Sequence, residues 1–278
     1  MTEQGEPRPF FLEGSSGKLF SIFYPPPSSV PAPQVVVHAP AFAEEMNKSR
    51  RMVSLQAAEL ARRGIGVLVF DLFGTGDSEG DFGEASWDRW LDDLGTACRW
   101  AENQTVARIS LWGLRMGALL AMDFAVRQDR LFEKLLLWHP VLNGNNLVMQ
   151  FLRLRVASAL FTGQQDSAPE TTSTLRERLL AGQSAEVAGY ELGPDLVNPL
   201  MKLRLAQFDP TRFKSIQVSE LVSEAGKPGS AANREWISAT RNQGLSVDFE
   251  TVSGPFFWST QEIALAPALL ERTTRSMG

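Results

Sequence analysis

The stretch ARISLWGLRMGALLAMDFAV, residues 107–126, decides the reading of this chain. Ile109 to Trp112 form an apolar run rich in β-branched and aromatic residues. The chain then turns sharply between Gly113 and Gly117 and leaves through a helix-forming run of Ala, Leu and Met. Strand, tight turn and helix follow. The spacing Gly113-x-Arg115-x-Gly117 is that of a nucleophile elbow, in which two glycines let strand and helix close around a strained central residue. The central residue is Arg115, whose guanidinium stays protonated and can neither attack a carbonyl nor take a proton.

Outward from the elbow the chain alternates strand and helix. Residues 9–24 predict two short strands around a turn at Gly14–Gly17, and Pro25–Pro33 a stiff link. Gln34–His38 reads as a buried strand, Ala39–Asn47 as a loop beside the elbow cavity, and Lys48–Arg63 as a helix stopped by Gly64. Gly66–Leu72 is a further strand. In the Gly-rich loop after it, Asp71, Asp77 and Ser78 are expected to satisfy backbone N–H groups rather than bind a nucleotide or metal. A helix over Ser86–Asn103, N-capped by Ser86, precedes the elbow, and the strand Phe132–Trp138 follows its helix and ends at His139.

From 142 to 209 the alternation lapses. Asn145–Phe161 and Thr174–Ala181 read as helices and the rest, through Pro194 and Pro199, as irregular. Strands at Ser215–Ser223 and Leu245–Val252, with helices at Ser230–Gln243 and Gln261–Arg272, complete the pattern. The expected architecture is one α/β fold, a mostly parallel eight-stranded sheet with helices on both faces. Its core would be 1–141 with 210–278, and its cap 142–209.

Four segments, HAPAFAEEMNKSRRM (38–52), FDLFGTGDSEGDF (70–82), WGLRMGA (112–118) and WHPVLNGNNLVMQFLRLR (138–155), resemble the α/β-hydrolase superfamily, and within it the second type of exosortase A system-associated hydrolase. The resemblance implies a bacterial protein tied to exopolysaccharide production and to sorting of proteins to the cell surface. It also implies an acid after the strand that follows the cap and a histidine after the last strand. Those positions fall in Ser223–Gly229, which offers Glu224, and in SGPFFW (253–258), which has no histidine.

The chain holds two histidines, His38 and His139, and His139 lies just past a strand's C-terminal end, where open α/β sheets bind ligands. Pocket residues are therefore expected to be Phe42, Glu44, Glu45, Arg115, Met116, His139, Phe257 and Trp258. Two readings stay open. One is a non-catalytic scaffold that binds a small anionic or acyl ligand, or a partner hydrolase. The other is a hydrolase in which His139, with Glu44 or Glu45, activates water.

Composition narrows the field further. A net charge of -5 over 278 residues, with a pI near 5.3, argues against a nucleic-acid surface. Cys98 is the one cysteine, which excludes an internal disulfide or thiolate metal cluster and fits a reducing cytoplasm. No apolar run is long enough to span a bilayer, the N-terminus lacks the pattern of a secretory signal, and no cofactor is expected.

Overall fold

The computed structural model describes residues 5–27, 34–104, 108–162 and 170–277. Part of the proline-rich link (28–33) and residues 163–169 of the expected cap lie outside them. Two strands, β1 (Arg8–Glu13) and β2 (Lys18–Tyr24), form the expected antiparallel hairpin. Then come β3 (Gln34–Ala39), α1 (Glu44–Arg62), β4 (Gly66–Phe70), α2 (Trp87–Gln104), β5 (Arg108–Leu114), α3 (Gly117–Val126) and β6 (Leu135–Trp138). Between β6 and the next strand of the sheet come α4 (Gly144–Thr162), α5 (Thr172–Leu180), the hairpin β7 (Ala185–Val187) and β8 (Tyr190–Leu192), and α6 (Pro194–Lys202). The fold closes with β9 (Ser215–Val222), α7 (Ala231–Asn242), β10 (Ser246–Ser253) and α8 (Pro267–Met277).

Eight strands make one sheet in the order β1-β2-β4-β3-β5-β6-β9-β10. The pairs from β4 to β10 are parallel, and β2 alone opposes its neighbours on both sides. Strand side chains point to alternate faces, so each central strand feeds two cores. Val35, Val37 and Leu111 pack with Trp90, Leu94 and Phe124 of α2 and α3, whereas Val36, Trp112 and Leu114 pack with Met52 and Leu60 of α1 and Leu269 of α8. The second core is keyed by Trp112 edge-on to Trp138 at 4.6 Å, with Trp138 Nε1 donating to Thr273 Oγ1 at 2.8 Å.

Four segments depart from the sequence reading. The helix expected from Lys48 begins at Glu44, so the loop after β3 is only Pro40–Ala43. Two acidic residues in the first turn favour that start, since they complement the partial positive charge of a helix N-terminus. The last helix begins at Pro267 rather than Gln261, because proline fits a first helical turn and restrains the residue before it. Pro194 opens α6 in the same way, in a stretch expected to be irregular, and the helix accommodates Pro199 as well. The short β7–β8 hairpin in that stretch turns at Ala188 and Gly189, both at positive φ.

The Gly-rich loop after β4 is held as its residue types suggest. Asp71 Oδ2 accepts from the Asp77 N–H at 3.0 Å and from Arg50 Nη2 at 2.8 Å, while Ser78 Oγ donates to the Asp71 carbonyl and accepts from the Phe20 N–H. A second tie is Asp93 of α2, fully buried, whose Oδ2 accepts from the Phe73 N–H at 2.8 Å. Its Oδ1 has no hydrogen-bond partner, and burial pushes the acid up to about 7. A folded-state pKa above the unfolded value means that the native state holds the proton more tightly. This contribution to stability is therefore complete near pH 4 and is lost as pH rises to about 7. Urea midpoints measured between pH 4 and 8 should accordingly fall by a few kcal/mol equivalent in the parent, and by clearly less in Asp93→Asn.

Candidate functional site

At the elbow the backbone leaves no room for side chains. A Cβ on Gly117 would lie 2.0 Å from the Ala39 carbonyl oxygen, and one on Gly113 would lie 2.7 Å from Gly117 backbone atoms. Between them Arg115 sits in the left-handed region with φ 54°. Its backbone is anchored to both neighbours: its N–H donates to the Trp138 carbonyl at 3.0 Å, and its carbonyl accepts from the Val141 N–H at 3.1 Å. Ala43 (φ 49°), at the N-cap of α1, and His139 (φ 42°) also have positive φ, so strained non-glycine residues stand just before α1 and directly after β5 and β6. Each costs roughly 1–3 kcal/mol, and such strain gathers at functional sites.

The Arg115 side chain turns onto α1. Its Nη2 donates to Glu45 Oε1 at 3.0 Å and its Nε lies 3.3 Å from both carboxylate oxygens, while the guanidinium carbon is 5.0 Å from the Trp258 ring centroid. The two side chains are only 10% and 19% exposed. Burial raises the Glu45 acid above its ordinary range, and the charge and hydrogen bonds of Arg115 only partly counter this.

His139 stacks beside Trp258, with ring centroids 4.7 Å apart, and beside Phe256 at 5.5 Å. Burial first, then the positive charge of Arg115, lowers its pKa to about 3, against a small opposing effect of the Leu221 carbonyl. It is neutral at physiological pH and a feeble base. Neither glutamate expected to help it is its partner: Glu45 is taken by Arg115, and Glu44 accepts from Tyr190 Oη at 3.1 Å and Asn47 Nδ2 at 3.3 Å. His38 is buried inside β3, bonded through Nδ1 to the Trp112 carbonyl at 3.1 Å, and burial lowers its pKa to about 3 as well.

Two cavities adjoin the elbow. Phe42, Glu44, Glu45 and Trp258 border one of about 160 Å³, and Arg115 and His139 border an open cleft of about 670 Å³. Leu147 and Gln150 of α4 touch both. The Arg115–Glu45 pair, with Trp258 against it, stands between them. Met116 and Phe257, expected in the pocket, are fully buried and line neither. Met116 contributes its backbone to the start of α3, and Phe257 packs on Trp138 at 6.1 Å. Glu224, at the position expected for an acid, is exposed and pairs with Lys227 at 3.3 Å.

Sequence reasoning missed Glu220 and Asn233, which line the larger cleft. The signal for Glu220 lay in strand alternation, since it shares a face with Ile216 and Val218, where the pattern calls for an apolar residue. Among the described residues no group of His, Cys, Asp and Glu could hold a metal, and no helix is long and apolar enough to cross a membrane.

The family model Hydrolase_4, serine aminopeptidase S33, matches residues 32–218. No curated protein matches the sequence. Among solved structures, Est1E from Butyrivibrio proteoclasticus with ferulic acid bound is similar over 96% of both chains, at 16% identity and a TM-score of 0.62. An α-β serine hydrolase homologue from Coxiella burnetii aligns over 100% of this chain and 99% of its own, at 17% identity and TM-score 0.55. A serine hydrolase without lid, XC6422 from Xanthomonas campestris, aligns over 98% and 92%, at 16% identity and TM-score 0.55. At these identities the likeness carries the fold.

Proposed function

Because the chain belongs to the Hydrolase_4 family, serine aminopeptidase S33, yet carries Arg115 where the fold presents its nucleophile, we propose that it is a non-catalytic α/β-hydrolase-fold protein that binds a small molecule or a partner protein. The observation that carries this reading is the Arg115–Glu45 ion pair at the elbow. A guanidinium replaces the nucleophile, and a carboxylate from α1 covers it from the side of the loop that in this fold supplies an oxyanion-hole N–H. The aromatic run Phe256 to Trp258 stands where the general base would follow the last strand. The second histidine, lowered to about 3 and without a carboxylate partner, supports the same view.

Residues 142–209 act in this reading as a cap over the cleft, with α4 bordering both cavities. The four segments resembling exosortase A system-associated hydrolases support a role beside bacterial exopolysaccharide production, with a hydrolase as the partner. The single buried cysteine, Cys98, suits a cytoplasmic location.

The reading is tested by ester hydrolysis. Turnover of p-nitrophenyl butyrate by the purified protein should equal that of a heat-denatured sample and should not change in His139→Ala. Turnover that survives purification and disappears in His139→Ala would establish the enzymatic reading instead.

A further inference from the structure

The larger cleft is bordered by donors that the fold leaves unused. Arg115 is only 8% exposed and gives Nε and Nη2 to Glu45, which borders the smaller cavity. Its third nitrogen, Nη1, has no hydrogen-bond partner among the described residues and is open rather than sealed, and the larger cleft is lined by Arg115. One edge of the guanidinium thus meets a carboxylate while the remaining nitrogen is left for the cleft. Arg204 borders the same cleft from the segment 142–209. Its Nη1 donates to the Met201 and Leu203 carbonyls at 2.8 Å, which fixes the guanidinium, and among the described residues it has no acidic partner.

The acids beside the cleft do not answer these cations. Glu220 Oε1 accepts from the Ser230 N–H at 2.9 Å, so its charge is set against the N-terminus of α7. Its Oε2 lies towards Gly229 and Phe249, neither of which lines the cleft: a Cβ on Gly229 would stand 2.5 Å from that oxygen and 2.6 Å from the Phe249 ring. Glu235, one turn into α7, is exposed to water. The charge of Arg115 is balanced by Glu45 and that of Arg204 is not.

We infer that the cleft binds a monocarboxylate with an apolar body, its head group accepting from Arg115 Nη1 and balanced by the charge of Arg204. This rests on the reading of the cleft as a binding site. An ionised carboxylate is an acceptor only, and its hydrogen bonds to a guanidinium are among the strong ones. Its single charge matches the one arginine charge that no acid balances, whereas a phosphate dianion leaves a charge over. A neutral carbonyl would reach Nη1 but leave Arg204 without a counter-ion, and an ammonium would meet donors. Val141, Leu142, Leu147 and Trp236 line the rest of the cleft and suit an alkyl body, and about 670 Å³ is the size of a small-molecule site.

Calorimetric titration of the full chain with sodium hexanoate tests this, beside hexan-1-ol, n-hexylammonium chloride and n-hexyl phosphate at equal ionic strength. The expected result is saturable binding of hexanoate, none of the alcohol or the ammonium, and weaker binding of the phosphate. Arg204→Gln should weaken hexanoate binding by about tenfold or more, as for loss of a charged partner. Arg115→Met combined with Glu45→Gln, which leaves no buried charge unpaired, should weaken it at least as much. Absence of saturable binding, equal binding of the alcohol, tighter binding of the phosphate, or unchanged affinity in either variant overturns the inference. Should the double variant not fold, Arg204→Gln carries the test alone: weakened binding supports the site and parental affinity overturns it. A failure here leaves the non-catalytic reading intact, whereas ester turnover would sink that reading without changing the binding result.

Discussion

Gly117→Ala is expected to destabilise the protein by at least about 3 kcal/mol, or to prevent folding, because nothing near the new methyl group can yield. The clash is with backbone: the added Cβ would stand 2.0 Å from the Ala39 carbonyl oxygen and 2.8 Å from that of Pro40. Moving them means parting α3 from the end of β3, and with it the turn that holds Arg115. Gly64→Ala is the informative control. A Cβ there meets nothing within 4 Å, and the penalty is only that of a non-glycine residue at φ 87°, about 1–2 kcal/mol. Denaturant midpoints of the two variants separate steric from conformational cost. Gly117→Ala behaving like Gly64→Ala would show that strand and helix are not in the contact described.

Arg115→Met is expected to cost about 3 kcal/mol at neutral pH, since it leaves the Glu45 carboxylate largely buried and without its cation. The pH dependence identifies the cause. Glu45 already has a raised pKa with Arg115 in place, and loss of the cation raises it further. A folded-state pKa above the unfolded one means that stability is retained at low pH and lost as pH rises through the raised value. The penalty should therefore be larger at pH 8 than at pH 5. Arg115→Met combined with Glu45→Gln should recover most of it, because no charge is then left uncompensated. Equal melting of Arg115→Met and parent at both pH values would mean that the ion pair contributes nothing to holding α1 over the elbow.

The elbow was legible because its signal is local: two glycines four residues apart, at the junction of a β-branched run and a helix-forming run, admit few other backbones. The alternation of strands and helices was legible for the same reason, whereas the order of the strands in the sheet was not. What escaped was set by tertiary contact. The start of α1 at Glu44 has no side-chain cap to announce it, and Ala43 enters the helix with a strained backbone instead. The helix at Pro194–Lys202 and the hairpin before it are short, and proline reads as a breaker until its place in the first turn is known. At the site, Arg115, Glu45 and Trp258 could be named as cavity residues from their positions. That Glu45 would pair with Arg115 while Glu44 turned to Tyr190 depends on which side of the first turn of α1 faces the elbow. Glu220 and Asn233 come together only when β9 and α7 are packed, and no spacing in the sequence joins them.

The central claim is that no serine of this fold is activated at the elbow, because Arg115 and Glu45 fill it. Intact-mass analysis after incubation with a fluorophosphonate tests this most directly, since the reagent captures any serine whose hydroxyl is activated as in a hydrolase. The expected result is an unchanged mass at concentrations that fully label an active serine hydrolase in the same tube. One stoichiometric adduct on any serine would contradict the account.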